Sequence, residues 1–301
     1  MKRLLAHSSL VLASVLLMTA CQGGGSDEEK DKKEAAPSPV PAAEMEKIDL
    51  PDSPDKLAEA VSKRMQEALS VEVAMTVDPE EPEGEDAASI EDVSMTLLLT
   101  DPPAARMKVV DNSEDRPSTA HIVVMDKVMY TKLEEEPLLK DKEWMKISRK
   151  EVDKLEDEIG PFAEIFRVML RETNDSLDQA SGESSLDVVR LGELSEDPES
   201  AKSEDGEPVT RYKGTTSTTD LADAGHDNFK RAVKAGLDEV SWELTVSDKG
   251  LPDEFTVELV TPDGEKATST VHYSNWGAEV EITLPPENNT GTIQESLDST
   301  G

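Results

Sequence analysis

Residues 241–261, SWELTVSDKGLPDEFTVELVT, decide the class of fold. Two runs rich in β-branched and aromatic residues flank Asp248-Lys249-Gly250, and that short turn joins them as an antiparallel hairpin. A parallel pair would need a crossover of about a dozen residues or more, and no such connection fits here.

The same grammar extends in both directions. Downstream, EKATSTVHYS (265–274) meets AEVEITLP (278–285) across Asn275-Trp276-Gly277. The last run alternates, with Ala278, Val280, Ile282 and Leu284 on one face and Glu279, Glu281 and Thr283 on the other, so it reads as a strand with one wet side. Upstream, VEVAMTV (71–77) and VSMTLLL (93–99) alternate likewise. ARMKVV, HIVVM, KVMYTKL and EWMKIS follow as further strands. Three stretches have helical period. SPDKLAEAVSKRMQEAL (53–69) has Ser53 as cap, Pro54 at the first helical position, and Leu57, Val61, Met65 and Leu69 on one side. GPFAEIFRVMLRET (160–173) carries Phe162, Ile165, Phe166 and Met169. DNFKRAVKAGL (227–237) is shorter. Strands outnumber helices, so the expected class is α+β: a large antiparallel sheet with a few helices against one face.

The chain's one cysteine, Cys21, follows a basic start (Lys2, Arg3), an apolar run from Leu10 to Met18, and the small pair Thr19-Ala20. That is the pattern of a secretory signal over 1–20. Met18-Thr19-Ala20-Cys21 resembles the lipobox of bacterial lipoproteins, which implies a diacylglycerol on Cys21 as a covalent anchor to the extracytoplasmic face of the cell membrane. Residues 21–53 read as a lipidated cysteine plus a Gly/Ser/Pro/charged tether. The domain proper is expected over 54–286, and 287–301 as a flexible tail.

The formal charge is −35, and loss of residues 1–20 removes Lys2 and Arg3 with no acid, leaving −37. Such a surface excludes nucleic acid as a partner, since phosphate neutralisation needs clustered Lys and Arg. It is also repelled by an anionic leaflet within about 8–10 Å, so the lipid must hold the protein at the membrane.

Motifs for catalysis are absent from the sequence. SGESS lacks the spacing of a nucleophile elbow, and no phosphate loop or zinc-binding His-Glu-x-x-His occurs. His121 and His272 fall in strands as ordinary sheet residues, and His226 stands at a helix start in a cap or first-turn role. No catalytic residue, metal site or cofactor is expected. The acidic runs 78–86 and 195–208 read as solvated hairpin loops without EF-hand spacing. What remains is apolar surface: the broad face of 162–170, and Met75, Met95, Met107, Met125 and Met129 in or beside strands. Unbranched methionines suit either an irregular pocket or a core poor in aromatics.

The order of these features, with VMYTKL, KEWMKIS, VTRYKGTTSTTDL, AVKAGLDEVSWELTVSDKGLPDEFTVEL and TVHYSNWGAEVEITLPP, resembles the actinobacterial LppX/LprAFG-type lipoproteins with the LolA-like fold. The resemblance implies a half-barrel, a strongly curved antiparallel sheet with helices on its concave side and space for lipid acyl chains between. On that reading the chain is a non-enzymatic carrier of a lipid or glycolipid. Phe162, Ile165, Phe166 and Met169 would line the mouth or pocket, and Val93, Met95, Leu97 and Leu99 the concave wall. The alternative is an envelope interaction or sensor domain with a filled core and a protein partner. A carrier requires an apolar cavity of roughly 300 Å³ or more.

Overall fold

The computed structural model describes residues 39–79, 90–111, 118–135, 137–180, 186–203, 205–260 and 266–298. The signal, Cys21, the first part of the tether and most of the 78–86 acidic run lie outside the described residues.

The α+β class is the one found. One open, curved sheet contains β1 (Ser70–Pro79), β2 (Ile90–Leu98), β3 (Ala104–Asp111), β4 (Ser118–Met125), β5 (Val128–Leu133), β6 (Trp144–Ile147), β7 (Glu193–Leu194), β8 (Glu199–Lys202), β9 (Pro208–Ser217), β10 (Glu239–Ser247), β11 (Pro252–Val260), β12 (Lys266–Ser274) and β13 (Thr290–Thr292). Its order is β13-β6-β5-β4-β3-β2-β1-β12-β11-β10-β9-β7, with β8 beside β9 off that path. All pairings are antiparallel except β13 with β6. The hairpin that fixed the class is β10–β11, in register from Val240↔Leu259 to Leu244↔Phe255 with a bulge at Thr245/Val246.

Register aligns the apolar positions across strands. One continuous row runs Tyr212, Leu244, Phe255, Val271, Met75, Val93, Val109, Ala120, Leu133. Because side chains alternate along a strand, all nine point to one face. Helices cover that concave face: α1 (Pro54–Ala68), α2 (Arg149–Lys154), α3 (Glu156–Ile159), α4 (Phe162–Ala180), α5 (Asp187–Arg190), α6 (Thr218–Asp223), α7 (Asp227–Lys234) and α8 (Ile293–Asp298). Leu57, Ala58 and Val61 of α1 have no exposed surface and share one core with the sheet face and α2 to α6. Ser53 occupies the N-cap of α1 without a side-chain bond, Pro54 is its first residue, and Leu69 ends it in the left-handed conformation at φ 62°.

Four expectations are corrected. Residues 278–286 form no strand. After the left-handed Asn275 and Gly277 the chain crosses to the outer face, where Ile282 packs on Ala104, Val123 and Tyr130. The alternation there is that of an extended strap laid over strands rather than paired with them. Gly277 cannot be replaced easily, because a Cβ would collide with the Val40 carbonyl. Second, the tail does not fray over 287–298: Thr290–Thr292 pair with β6, and Ile293 is buried in the main core. Third, the folded part begins by residue 39 rather than 54. Met45 is buried, the Ala42 amide donates to the Trp276 carbonyl at 3.0 Å, and the Ile48 amide to the Asp248 carbonyl at 2.9 Å. Fourth, the run 195–208 contains β8, an edge strand whose Glu199 pairs with Arg211 of β9 at 3.0 Å.

Ile282→Ala is expected to cost about 2 kcal/mol in urea unfolding, the usual result of emptying a buried aliphatic site. A methyl at Gly214 would fall on the Trp242 ring and the Glu193 carbonyl. Gly214→Ala should therefore lower stability by about 1–3 kcal/mol.

Candidate functional site

The sheet–helix layer contains the residues singled out from sequence, in unequal states. Val93, Met95, Leu97 and Leu99 point to the helices and are 3–6% exposed, sealed in the protein's own core. Phe166 of α4 is equally buried. Phe162, Ile165 and Met169 are partly buried, and Phe162 and Met169 pack against that core. At about 100° per residue, the buried stripe of α4 is Ala163, Phe166, Leu170, Thr173 and Leu177. Phe162, Met169, Ile165 and Val168 then extend the apolar arc past that stripe by more than about 100° on one side. Arg167, Arg171 and Glu164 occupy the other side. Phe162 and Met169 widen the core-facing arc to the ordinary width of an amphipathic helix, and partly buried Ile165 and Val168 lie beyond it.

The inner face of the sheet is not uniformly sealed either. On the inner face of β3, β4 and β5, Met107, Ala120 and Leu133 are half-buried among sealed neighbours. Methionine concentrates here. Met75, Met95, Met107, Met129 and Met145 all share the inner face, and Met95 sits directly opposite Met107. Met125 is the exception, on the outer face beside the Ile282 cluster.

Arg167 fixes α4. Its guanidinium donates to Asp153 Oδ1 of α2 at 2.9 Å and, bidentately, to Glu156 of α3 at 3.2 and 2.7 Å. These hydrogen bonds hold both carboxyls below the usual carboxylate range. Gln294 of α8 reaches Glu151 and Glu158, both at 3.4 Å, and ties the C-terminal helix to the same group.

The histidines stand away from this flank. His121 meets Glu134 at 2.5 Å and His272 meets Glu254 at 3.3 Å, both on the outer face of the sheet. His226 is at the N-cap of α7, but its side chain makes no capping bond. It is fully buried and turns to Asp187 of α5, with Nε2 3.4 Å from Oδ2. Among the described residues no three His, Cys, Asp or Glu side chains group as for a metal ion, and no helix is long and apolar enough to cross a membrane.

No protein-family model matches the chain, and no curated protein matches it. Among solved structures it is similar to the crystal structure of LprF from Mycobacterium bovis, at 16% identity over 77% of this chain and 96% of that one, with a TM-score of 0.46.

The clamp carries a pH prediction. Asp153 and Glu156 have folded values below their ordinary 3.8 and 4.5. Their contribution is complete above the ordinary values and is lost as pH falls through the lowered ones. Arg167→Gln should flatten the decline of melting temperature between about pH 5 and pH 3. An unchanged slope in differential scanning fluorimetry would show that the clamp is idle.

Proposed function

We propose that the chain is a non-enzymatic lipoprotein, held at the extracytoplasmic face of the membrane by diacylated Cys21, that carries a hydrophobic ligand between sheet and helices. The observation that carries this reading is the apolar arc of α4, which runs past its buried stripe through Phe162, Met169, Ile165 and Val168, with partly buried Met107, Ala120 and Leu133 on the inner sheet face. Acyl chains are the ligand chemistry that suits such walls. They need no charge partner, and methionine adapts to chains of different shape. Reversible carriage also needs no catalytic group. The sealed state of Val93, Met95, Leu97 and Leu99 favours the second reading, an envelope interaction domain with a filled core.

The full-length chain in phosphatidylcholine vesicles, offered a diazirine-bearing acyl probe, separates the two. The carrier is expected to be labelled within α4 and β3–β5, and Ile165→Asp or Val168→Asp should reduce that labelling several-fold. Both positions retain some solvent exposure, whereas Phe166→Asp would bury a charge and unfold the domain. Labelling confined to residues outside 39–298 would remove the carrier and leave the interaction domain.

A further inference from the structure

The strand registers put one end of the sheet where residues 39–48 enter the fold. At this pole Ser70 lies opposite Leu98, Leu98 opposite Ala104, Met125 opposite Val128 and Val246 opposite Pro252. β12 runs into it from Lys266 to Ser274 and gives way to the left-handed Asn275 and Gly277. The entering chain is clamped there. Besides the Ala42 and Ile48 amide bonds, Lys249 Nζ donates to the Ala42 carbonyl at 2.7 Å and Arg64 of α1 to the Glu46 carbonyl at 2.9 Å. Lys47 pairs with Asp248, and Gly250 leaves no room for a Cβ beside Ile48. The chain toward Cys21 therefore leaves the body from a fixed point, next to exposed Val40.

The two poles differ in charge. The connections at the clamped pole, LTDPP (99–103), DK (126–127), SEDGE (203–207) and DKGL (248–251), carry six Asp or Glu against two Lys or Arg. Those that join strand ends at the other pole, EEPEGEDAAS (80–89), NSEDRP (112–117), EEEPLLKDKE (134–143) and TPDGE (261–265), carry 14 against three. Eighteen residue steps separate Cys21 from Pro39 and reach about 60 Å at full extension, enough to let either pole approach a bilayer. Tether length alone does not choose between them. Charge does, because an anionic leaflet repels the pole with the larger acidic excess harder within about 8–10 Å. The point of entry acts in the same direction, since presenting the far pole would stretch the tether back along β12 by about 25–30 Å.

We infer that the clamped pole, with Val40, Pro102 and Lys127 exposed upon it, is the surface this chain turns to the headgroups of its own membrane, and that the acidic pole faces outward. This rests on the diacylated Cys21 of the proposed function and is independent of the ligand.

The two ends of β12 give the test. Ser274 and Ala267 are both exposed and lie seven residues apart, about 23 Å along the strand. Cys21 is the chain's one cysteine, and on the anchor reading its thiol is acylated, so Ser274→Cys or Ala267→Cys supplies a single labelling site. Each full-length, acylated variant carries a fluorescent donor, in phosphatidylcholine–phosphatidylglycerol vesicles whose headgroups bear the acceptor. Energy transfer from position 274 is expected to exceed that from 267 several-fold at low salt. The excess should shrink in 1 M salt, where the screening length is about 3 Å. Equal transfer from both positions, a larger transfer from 267, or an excess that salt leaves unchanged overturns the orientation while the anchor stands. Failure of the chain to float with the vesicles overturns the anchor reading and the orientation with it.

Discussion

Nine strands carry one unbroken row of side chains from Tyr212 to Leu133, and the rest of the fold keeps that face out of water. Burial of a single Leu, Val or Met contributes about 1.5–3 kcal/mol, so leaving such a row wet is untenable. The helices are distributed accordingly. α1 seals one region with Leu57, Ala58 and Val61, while Val152, Leu155 and Ile159 of α2, α3 and their junction join the same core. The strap and the C-terminal helix complete the cover. One buries the outer cluster around Ile282, and the other adds Ile293 to the main core.

Against that background, incomplete cover is informative. α4 buries a stripe and leaves Ile165 and Val168 only partly covered beside it, although it is pinned by Arg167 through three hydrogen bonds to α2 and α3. A helix so fixed keeps its flank open because its anchors are polar groups on the far side.

The net charge of −35 shapes a different property. Acids such as Glu254, which meets His272, and Glu243, 2.8 Å from Arg211, lie on the outer face of the sheet, and the inner face is largely apolar. A surface of one sign resists self-association and repels an anionic bilayer. Attachment through Cys21 would leave the domain standing off the membrane, with its entry at residues 39–48 stitched to the turns at Trp276 and Asp248.

Much of this was legible in the sequence. Alternation at 71–77 and 93–99, the turn at 248–250 and the spacing of Leu57, Val61 and Met65 are local signals, and local chemistry alone produces them. They determined strands β1 to β6 and β10 to β12, α1 and the α+β class, while β9 carried no strand reading. Whether Ile282 belongs to a strand or to a strap was beyond that reach, because an extended chain alternates in either case and only its neighbours differ. The same holds for the segments before residue 54 and after 286, whose polar composition hides a few anchors such as Met45 and Ile293. The site divides in the same way. Periodicity marked the apolar face of α4, but which side of it is sealed depends on where α2, α3 and the sheet stand. Thr173, on the buried stripe of that helix, carried no sequence signal at all, since a hydroxyl becomes notable only when the tertiary structure buries it.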